Sequence, residues 1–376
     1  MSDAPFAING VMVQSLRRFC LLFHRRFVHP TIKTLFGPNE FCLTCTSIYP
    51  DSSSPYRRST SAALITVNAA TFSHYGILHM KIVVTGSAGN VSRPLTELLL
   101  AAGHQVSVVS RNAENIAALV KQGANAAIGD MEDVAFLTDT LKGADGVYLM
   151  LPPMWNSQDQ KKQSTEYAHN FKAAIEATGV KNVVFLSSYG ADRQTDAGPI
   201  SGMGLAEDVL NTLGSDVNVL SLRTGYFYTN LLLSIDLIKK SGHMGNMFAI
   251  PQGRFTVVDP EDIARIAAAA LATQNFKGHT YQYVISDLTG TDEIAALIGQ
   301  EIGIPHLKWE KFEKEDFRQV LLGYGFANGA ANDYVEMFDT LDKGLLFEHF
   351  FETKAPFGGT SIEAFAKRFA AIYKSR

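Results

Sequence analysis

Cysteine is nearly absent from this chain. Of its 376 residues only Cys20, Cys42 and Cys45 are cysteines, and none follows Met80. The 297 residues from Met80 onward therefore have neither a disulfide framework nor a thiol nucleophile. Cys42 and Cys45 have the spacing of half a zinc or redox site, but no second cysteine pair follows them. We therefore assign no metal to the chain.

Long apolar runs and a strong charge of one sign are also missing. No apolar run reaches the roughly 18 residues of a membrane-spanning helix, so we expect a soluble protein without a membrane span. The chain is 46% hydrophobic and 19% charged, with a net charge of −4, which excludes disordered and collagen-like classes. Because basic residues form no clustered face, nucleic acid is excluded as the primary partner.

The composition changes at Met80. Residues 1–79 carry seven Lys and Arg against three Asp and Glu, with scattered prolines and a Ser-rich stretch. We interpret them as an extension outside the fold: a disordered or artefactual segment from a start codon placed too far upstream, or an organelle transit peptide. We accordingly expect a cytoplasmic protein, or a mitochondrial one if the transit interpretation holds.

A strand, a glycine-rich turn and a helix open the part that follows. Residues 81–85 (KIVVT) read as a buried parallel strand, residues 94–103 as a helix with regularly spaced leucines, and residues 105–110 as a second strand. Glycines between a strand and a helix permit a tight turn and let the backbone approach a pyrophosphate at the helix N-terminus. The sequence thus predicts a dinucleotide site. Its turn residues are Gly86, Ser87, Ala88, Gly89, Asn90 and Val91.

The residue after the second strand selects between the two nicotinamide dinucleotides. NAD-binding proteins tend to place an acid there, whereas Arg suits the 2′-phosphate of NADP. Here Arg111 follows Ser110, and the first acid is Glu114. We therefore predict NADP(H) as the preferred cofactor, with NAD(H) as the alternative, and Arg111 as its phosphate ligand. The competing interpretation of Arg111 is a solvated loop residue.

Four further strands follow, at about residues 126–128, 147–151, 183–186 and 220–224. Ligands of doubly wound sheets bind where such strands end. Asp130 fits the adenine amine or, equally, a helix N-cap. The remaining predicted cofactor residues at these strand ends are Met131, Leu151, Pro152, Ser187 and Ser188.

Several motifs in order resemble the NmrA-like group of atypical short-chain dehydrogenases/reductases. The motifs are GSAGNVSRPLTELLLAAGHQVSVVSRN, GDMED, LKGADGVYLMLPP, VKNVVFLSSYGA, LRTGYFYTN and VVDPEDIARIAAAAL. The resemblance covers the chain from about Met80 to its last residue. The resemblance implies a nicotinamide dinucleotide site. The group includes NADPH-dependent quinone and azo-dye reductases as well as nucleotide-sensing regulators.

The sequence departs from the family pattern at three places. Ser92 replaces the third glycine of the turn, and Thr224 stands where the family commonly has proline after Arg223. No Tyr-x-x-x-Lys follows Ser187. Reduction of a ketone produces a basic alkoxide and needs a positioned proton donor, whereas a quinone gives a much less basic phenolate. The missing pair therefore argues against an alcohol dehydrogenase or a sugar epimerase.

The substrate side offers three catalytic candidates: Tyr189, Tyr226 and Asn230. Tyr189 lies too close to the strand end to replace the missing tyrosine. Aromatic faces after residue 224 suit a flat conjugated acceptor, but they equally suit packing between the sheet and a lobe. The resemblance places Gly225 and Asn230 near the substrate. We predict Asp262 to cap an Ala-rich helix rather than to take part in chemistry.

We therefore predict an α/β fold, a Rossmann-type doubly wound parallel sheet with a small C-terminal α/β lobe. The core covers about residues 80–230 and 255–285, and the substrate-side lobe about 231–254 and 286–376. The expected function is NADPH-dependent hydride transfer to a quinone or similar small molecule. The alternative is a redox sensor that binds NADP without turnover. Besides the small-molecule substrate, the partners to consider are a second copy of the chain and a regulatory protein.

Overall fold

The computed structural model describes residues 34–37, 40–44, 64–67 and 79–376. The chain divides into two compact units, one up to Ile77 and one from Leu78 onward. The first unit contains an antiparallel sheet of β1 (Thr34–Gly37), β2 (Glu40–Thr44) and β3 (Leu64–Val67), in that order. The rest of the predicted extension lies outside the described residues, and so do the side chains of Cys42 and Cys45.

The second unit is built around a seven-stranded sheet in which every pairing is parallel. Its strands in chain order are β4 (Lys81–Val84), β5 (Gln105–Ser110), β6 (Asn125–Ile128), β7 (Gly146–Leu149), β8 (Asn182–Ser188), β9 (Asn218–Thr224) and, after three strands of smaller sheets, β13 (His279–Val284). The smaller sheets comprise β10 (Tyr226–Phe227), β11 (Met244–Asn246), β12 (Phe255–Val258), β14 (Asp287–Thr289) and β15 (Trp309–Lys311). The order across the large sheet is β13-β9-β8-β7-β4-β5-β6.

Helices cover both faces of this sheet. The helices of the second unit, including those of the C-terminal lobe, are α1 (Ser92–Ala101), α2 (Ala113–Lys121), α3 (Val134–Leu141), α4 (Gln160–Thr178), α5 (Pro199–Leu210), α6 (Ile235–Ser241), α7 (Pro260–Thr273), α8 (Thr291–Ile302), α9 (Lys314–Gly323), α10 (Asn328–Asp342), α11 (Glu348–Thr353) and α12 (Ile362–Ser375). One apolar core joins the sheet to α1, α2 and α7, and a second joins its other face to α3, α4 and α5. The predicted doubly wound α/β fold is confirmed.

A third core belongs to the C-terminal lobe and is rich in aromatic side chains. The final helix, α12, closes it: Phe365 stacks on Tyr228 with ring centroids 4.7 Å apart, and Arg368 pairs with Asp259. The backbone amide of Ile362 donates to Asp287 Oδ2 at 2.9 Å. The last helix is therefore held by both apolar and ionic contacts. Among the described residues, no helix is long and apolar enough to cross a membrane.

The structure corrects the predicted cap of α7 and excludes the cap as the role of Asp130. Asp259, and not Asp262, caps α7, because its side chain accepts from the amide of Glu261 while Pro260 occupies the first turn. Asp262 lies inside the helix, where it accepts from Ser286 Oγ at 2.5 Å. Asp130 likewise does not cap the helix that follows it, since Asp133 caps α3.

Candidate functional site

The predicted cofactor residues lie along one edge of the large sheet. Parallel strands end on the same side, so the loops after β4, β5, β6, β7 and β8 adjoin one another there. These loops and the last two residues of β8 carry all thirteen predicted residues: Gly86, Ser87, Ala88, Gly89, Asn90, Val91, Arg111, Asp130, Met131, Leu151, Pro152, Ser187 and Ser188. The structure therefore brings the set together along this edge.

The turn after β4 requires glycine at its first position. Gly86 has a φ of +93°, and a Cβ built there would lie 2.6 Å from Ser92 Oγ and 2.8 Å from Met150 Cγ. Ser87 also has a positive φ, of 57°. The amide of Gly89 then donates to the carbonyl of Gly86 at 3.1 Å and closes the turn. The backbone is thus folded sharply between the strand and the helix.

The turn presents unpaired backbone amides. Helix α1 begins after Val91, which provides no side-chain cap, and its first turn has no acidic residue. Within the described residues, the amides of Ala88, Asn90 and Val91 donate to no backbone carbonyl or side chain. Gly89 and Asn90 are exposed. Free amides at an uncapped helix N-terminus form an anion-binding arrangement.

Ser92 occupies the family's third glycine position without strain on the helix. Its side chain is 2% exposed, and Ser92 Oγ donates to the carbonyl of Thr85 at 2.8 Å. The hydroxyl is therefore satisfied inside the packing of α1 on β4.

Arg111 lies beside the glycine turn. The hydroxyls of Ser87 and Ser110 are 3.0 Å apart, which joins the turn to the end of β5. The next residue, Arg111, is exposed and has no ion-pair partner within the described part of the chain. Asn112 then caps α2 by accepting from the amide of Glu114. The guanidinium is consequently free to meet an anion bound at the turn.

The ends of β4 and β7 are joined by Thr85. Its Oγ1 donates to the carbonyl of Tyr148 at 3.1 Å and accepts from the amide of Met150 at 2.9 Å. Leu151 is buried and Pro152 half-buried directly after these contacts. They form an apolar wall next to the turn.

Two of the three catalytic candidates are core residues. Tyr189 is 5% exposed and packs on Phe347, and Tyr226 is 8% exposed and packs on Phe255. Burial raises the pKa of both phenols well above the ordinary value for tyrosine. Asn230 is exposed. The burial of Tyr226 therefore agrees with the alternative interpretation, in which the aromatic residues after residue 224 pack between the sheet and the lobe. Asn230 is the candidate whose side chain is accessible.

Asn230 belongs to a segment that contacts the glycine turn. It lies in the 3-10 helix Tyr228–Ser234, and the neighbouring Thr229 Oγ1 accepts from Asn90 Nδ2 at 3.3 Å. The segment after β9 thus adjoins the same sheet edge as the predicted cofactor residues.

A buried ion pair that the sequence did not predict lies beneath this edge. Arg223 Nε donates to Glu207 Oε1 at 3.1 Å, and Arg223 Nη2 donates to Glu207 Oε2 at 2.6 Å. Ser187 Oγ donates to Glu207 Oε1 at 2.5 Å. The side chain of Ser187 therefore points toward α5, while the half-buried Ser188 follows on the other face of the strand.

Aromatic residues of β13 complete the surroundings of Arg223. Its guanidinium lies 4.2 Å from the ring centroid of Tyr281. Tyr283, whose hydroxyl is 2.6 Å from His349 Nδ1, adjoins it on the strand. Burial disfavours the charge, but hydrogen bonding to Glu207 outweighs burial and raises the pKa of Arg223. An arginine at the end of a buried strand was the sequence signal that an acid must lie nearby.

Thr224 accounts for the second departure from the family pattern. Its Oγ1 donates to the carbonyl of Ser187 at 3.0 Å, and its own carbonyl accepts from the amide of Tyr189 at 2.9 Å. Proline could not make the first of these bonds. The ends of β8 and β9 are thus held together at the site.

The chain is similar to known proteins in both sequence and structure. The model of the NmrA-like family matches residues 79–364. The NAD(P)H azoreductase of Xenophilus azovorans is 24% identical over 257 residues, which cover 68% of this chain and 86% of the azoreductase. Quinone oxidoreductase 2 of Escherichia coli strain K12 is 24% identical over 273 residues, 71% of this chain and 90% of that protein.

Solved structures have the same fold. The NADPH-dependent quinone oxidoreductase of Escherichia coli, crystallised with NADPH, superposes with a TM-score of 0.63 at 21% identity, covering 76% of this chain and 99% of the other. The triphenylmethane reductase of a Citrobacter species, crystallised with NADP(H), gives a TM-score of 0.61 at 17% identity, over 77% of this chain and 99% of the other.

Proposed function

This chain belongs to the NmrA-like family, and we propose that it is an NADPH-dependent oxidoreductase that transfers a hydride to a quinone or a similar conjugated small molecule. The observation that carries the proposal is the glycine turn at the edge of the sheet: within the described residues, three of its backbone amides have no hydrogen-bond partner, and the neighbouring Arg111 has no ion-pair partner. The names of the azoreductase and quinone oxidoreductase relatives agree with this chemistry.

The turn fits the diphosphate of a dinucleotide. A side chain at Gly86 would collide with Ser92 and Met150, and the amides of Ala88, Asn90 and Val91 have no partner among the described residues. These groups would donate to phosphate oxygens at the positive end of α1.

Arg111 supports NADP(H) over NAD(H). The Ser87–Ser110 contact fixes the end of β5 beside the turn, where the ribose of a bound dinucleotide lies in this fold. The exposed guanidinium would bind the 2′-phosphate, and neither Ser110 nor Asn112 supplies a carboxylate to hold a 2′-hydroxyl. Asp130 accepts from the amide of Glu132 at 3.0 Å and so has a fixed carboxylate for the adenine amine.

The apolar end of the site would hold the nicotinamide. Leu151 and Pro152 would pack on the ring and exclude water, with Ser188 as a polar neighbour. The bound cofactor supplies a hydride to the acceptor. The protein's part is to orient the two reactants and keep solvent away.

The surroundings favour an acceptor that needs no strong proton donor. Tyr189 and Tyr226 are buried, and the hydroxyl proton of Ser187 is bound by Glu207. A quinone accepts a hydride to give a weakly basic phenolate, which water or an amide can protonate or stabilise. The exposed Asn230 could donate such a hydrogen bond to the carbonyl oxygen.

The test measures NADPH oxidation by the full chain. The purified protein is incubated with NADPH and with a panel of benzoquinones, naphthoquinones, an azo dye and a simple ketone, and the loss of NADPH absorbance is followed. We expect turnover with the quinones and none with the ketone. Binding of NADPH without turnover of any acceptor would overturn the reductase and leave a nucleotide sensor, which would then be examined for a regulatory protein partner.

The Gly89→Asp variant is the matched control. Gly89 is exposed, its φ is not in the left-handed region, and a Cβ there would meet only the carbonyl of Gly86, at 3.0 Å. The variant should fold, but its carboxylate would repel the phosphates. Turnover that persists in this variant would point to a contaminating reductase.

A further inference from the structure

Three neighbouring strands carry polar side chains in one row. Ser187 on β8 is the register partner of Arg223 on β9, and Arg223 is the partner of Tyr283 on β13. Residues in register on adjacent parallel strands point to the same face, so this row lies on the face that α5 covers. Helix α5 places Glu207 directly over the first two members.

The side chains of this row are buried, and the opposite charges of Glu207 and Arg223 stabilise each other. Ser187, Glu207 and Arg223 are 3%, 4% and 8% exposed. Both oxygens of Glu207 accept from the guanidinium, and one of them also accepts from Ser187. The next carboxylate, that of Asp192, is 3.9 Å from Arg223 Nη1 and more exposed. Removal of the Glu207 charge would therefore leave Arg223 to turn toward Asp192 and solvent.

The end of β9 cannot follow such a movement without disturbing the site. Thr224, directly after Arg223, is bonded to the backbone of Ser187 and Tyr189. The chain then continues to Thr229, which contacts Asn90 on the glycine turn. The chain after Arg223 is thus hydrogen-bonded both to the end of β8 and to the glycine turn.

We propose that Glu207 is a positioning residue: through Arg223 and Ser187 it sets the ends of β8 and β9 at the nicotinamide end of the site. The inference rests on the proposed function, because it assumes that a dinucleotide binds along this edge. Glu207 touches no reactant itself. Its contribution is the relative placement of Ser188 and the segment that follows Thr224.

The test uses Glu207→Gln in the full chain with two ligands. Adenosine 2′,5′-bisphosphate would occupy the turn, Arg111 and the adenine position at Asp130, whereas NADPH would also reach the nicotinamide end. We expect unchanged affinity for the bisphosphate, weaker affinity for NADPH, and a kcat with quinones lowered by about tenfold to a hundredfold, since small misplacements of reactants have effects of that size. KM for the quinone should change less than kcat.

A buried polar contact at the opposite ends of the same two strands provides the matched control. Asn182, 8% exposed, begins β8, where it accepts from Asn218 Nδ2 at 3.1 Å and donates to the carbonyl of Asp145 at 3.3 Å. Asn182→Ala should lower the stability of the protein but leave the NADPH-to-bisphosphate affinity ratio and kcat unchanged. Ser187→Ala should show part of the Glu207→Gln effect, and the double variant should show less than the sum.

The outcomes separate this inference from the proposed function. If the wild type binds NADPH but reduces no quinone, the proposed function fails. The role of Glu207 is then decided by the effect of Glu207→Gln on the ratio of the NADPH affinity to the bisphosphate affinity. If Glu207→Gln lowers only the unfolding midpoint, with the ratio and kcat equal to those of the wild type, Glu207 is merely structural and the inference is overturned.

Discussion

The hydroxyl oxygens of Ser87 and Ser110 lie 3.0 Å apart. This contact joins the glycine turn after β4 to the end of β5. Arg111 directly follows the serine that makes the contact. Ser110 also donates to the carbonyl of Asn112 at 2.8 Å, so the chain on either side of Arg111 is fixed. The backbone at Arg111 is held while its side chain remains exposed, which suits a residue that discriminates between two cofactors.

Arg111→Ala should weaken NADPH binding more than NADH binding. The variant loses a charge-assisted contact to the 2′-phosphate, worth about 1.5 to 3 kcal/mol. Fluorescence titration of both cofactors measures the difference. Lys121→Ala, at the exposed end of α2, should change neither affinity. An equal loss for both cofactors in Arg111→Ala would remove the NADP assignment.

Gly86→Ala should destabilise the protein more than Gly123→Ala. Both positions have a positive φ, +93° and +109°, but a Cβ at Gly86 would strike Ser92 and Met150, whereas one at Gly123 has nothing within 4 Å. The backbone cost of about 1 to 2 kcal/mol is shared, and the collision adds about 1 to 3 kcal/mol at Gly86. Urea denaturation gives both values, and equal losses would show that the turn has room for a side chain.

Tyr148→Phe should be neutral or stabilising, unlike Tyr228→Phe. Both tyrosines are fully buried, but the Tyr148 hydroxyl has no hydrogen-bond partner among the described residues. The Tyr228 hydroxyl donates to the carbonyl of Thr360 at 2.9 Å. Its loss should cost about 0.5 to 1.5 kcal/mol. Thermal unfolding of the two variants compares them directly, and a similar loss in both would mean that Tyr148 has a partner after all.

Asp333→Asn should stabilise the protein at neutral pH but not in acid. Burial outweighs the attraction of Lys161 and raises the pKa of Asp333. The folded state therefore binds a proton more readily than the unfolded state, and the ionised carboxylate disfavours folding. That disadvantage disappears as the pH falls through the raised pKa. The gain in unfolding midpoint should thus shrink between pH 7 and about pH 4, and a gain independent of pH would contradict the assignment.

The sequence predicts the sheet well because its strands are short apolar runs. The second strand, Gln105–Ser110, has the predicted bounds. The glycine turn is equally readable, since only glycine tolerates the backbone at Gly86. Other strand ends differ from the predicted ones by one or two residues. The strand predicted at residues 147–151 stops at Leu149, where Thr85 binds the following backbone.

Contacts between distant segments could not be predicted. Whether Tyr189 and Tyr226 face a pocket or a core depends on how Phe347 and Phe255 pack against them. The pairing of Glu207 with Arg223 depends on the rotation of α5 over the sheet. These properties are set by the tertiary structure, which no local pattern encodes.

The cap of α7 could have been predicted. Both Asp259 and Asp262 flank Pro260, but proline favours the first helical position, which makes the residue before it the cap. The sequence therefore contains the signal that identifies Asp259, and the prediction of Asp262 is wrong.

The placement of α12 has a consequence for synthesis of the protein. Phe365 of α12 stacks on Tyr228, so a growing chain cannot complete the burial of Tyr228 until α12 has been synthesised. The sheet can form while translation continues, but the lobe must wait with apolar groups exposed. Chaperones that bind nascent chains would therefore find their target in the lobe rather than in the dinucleotide-binding half.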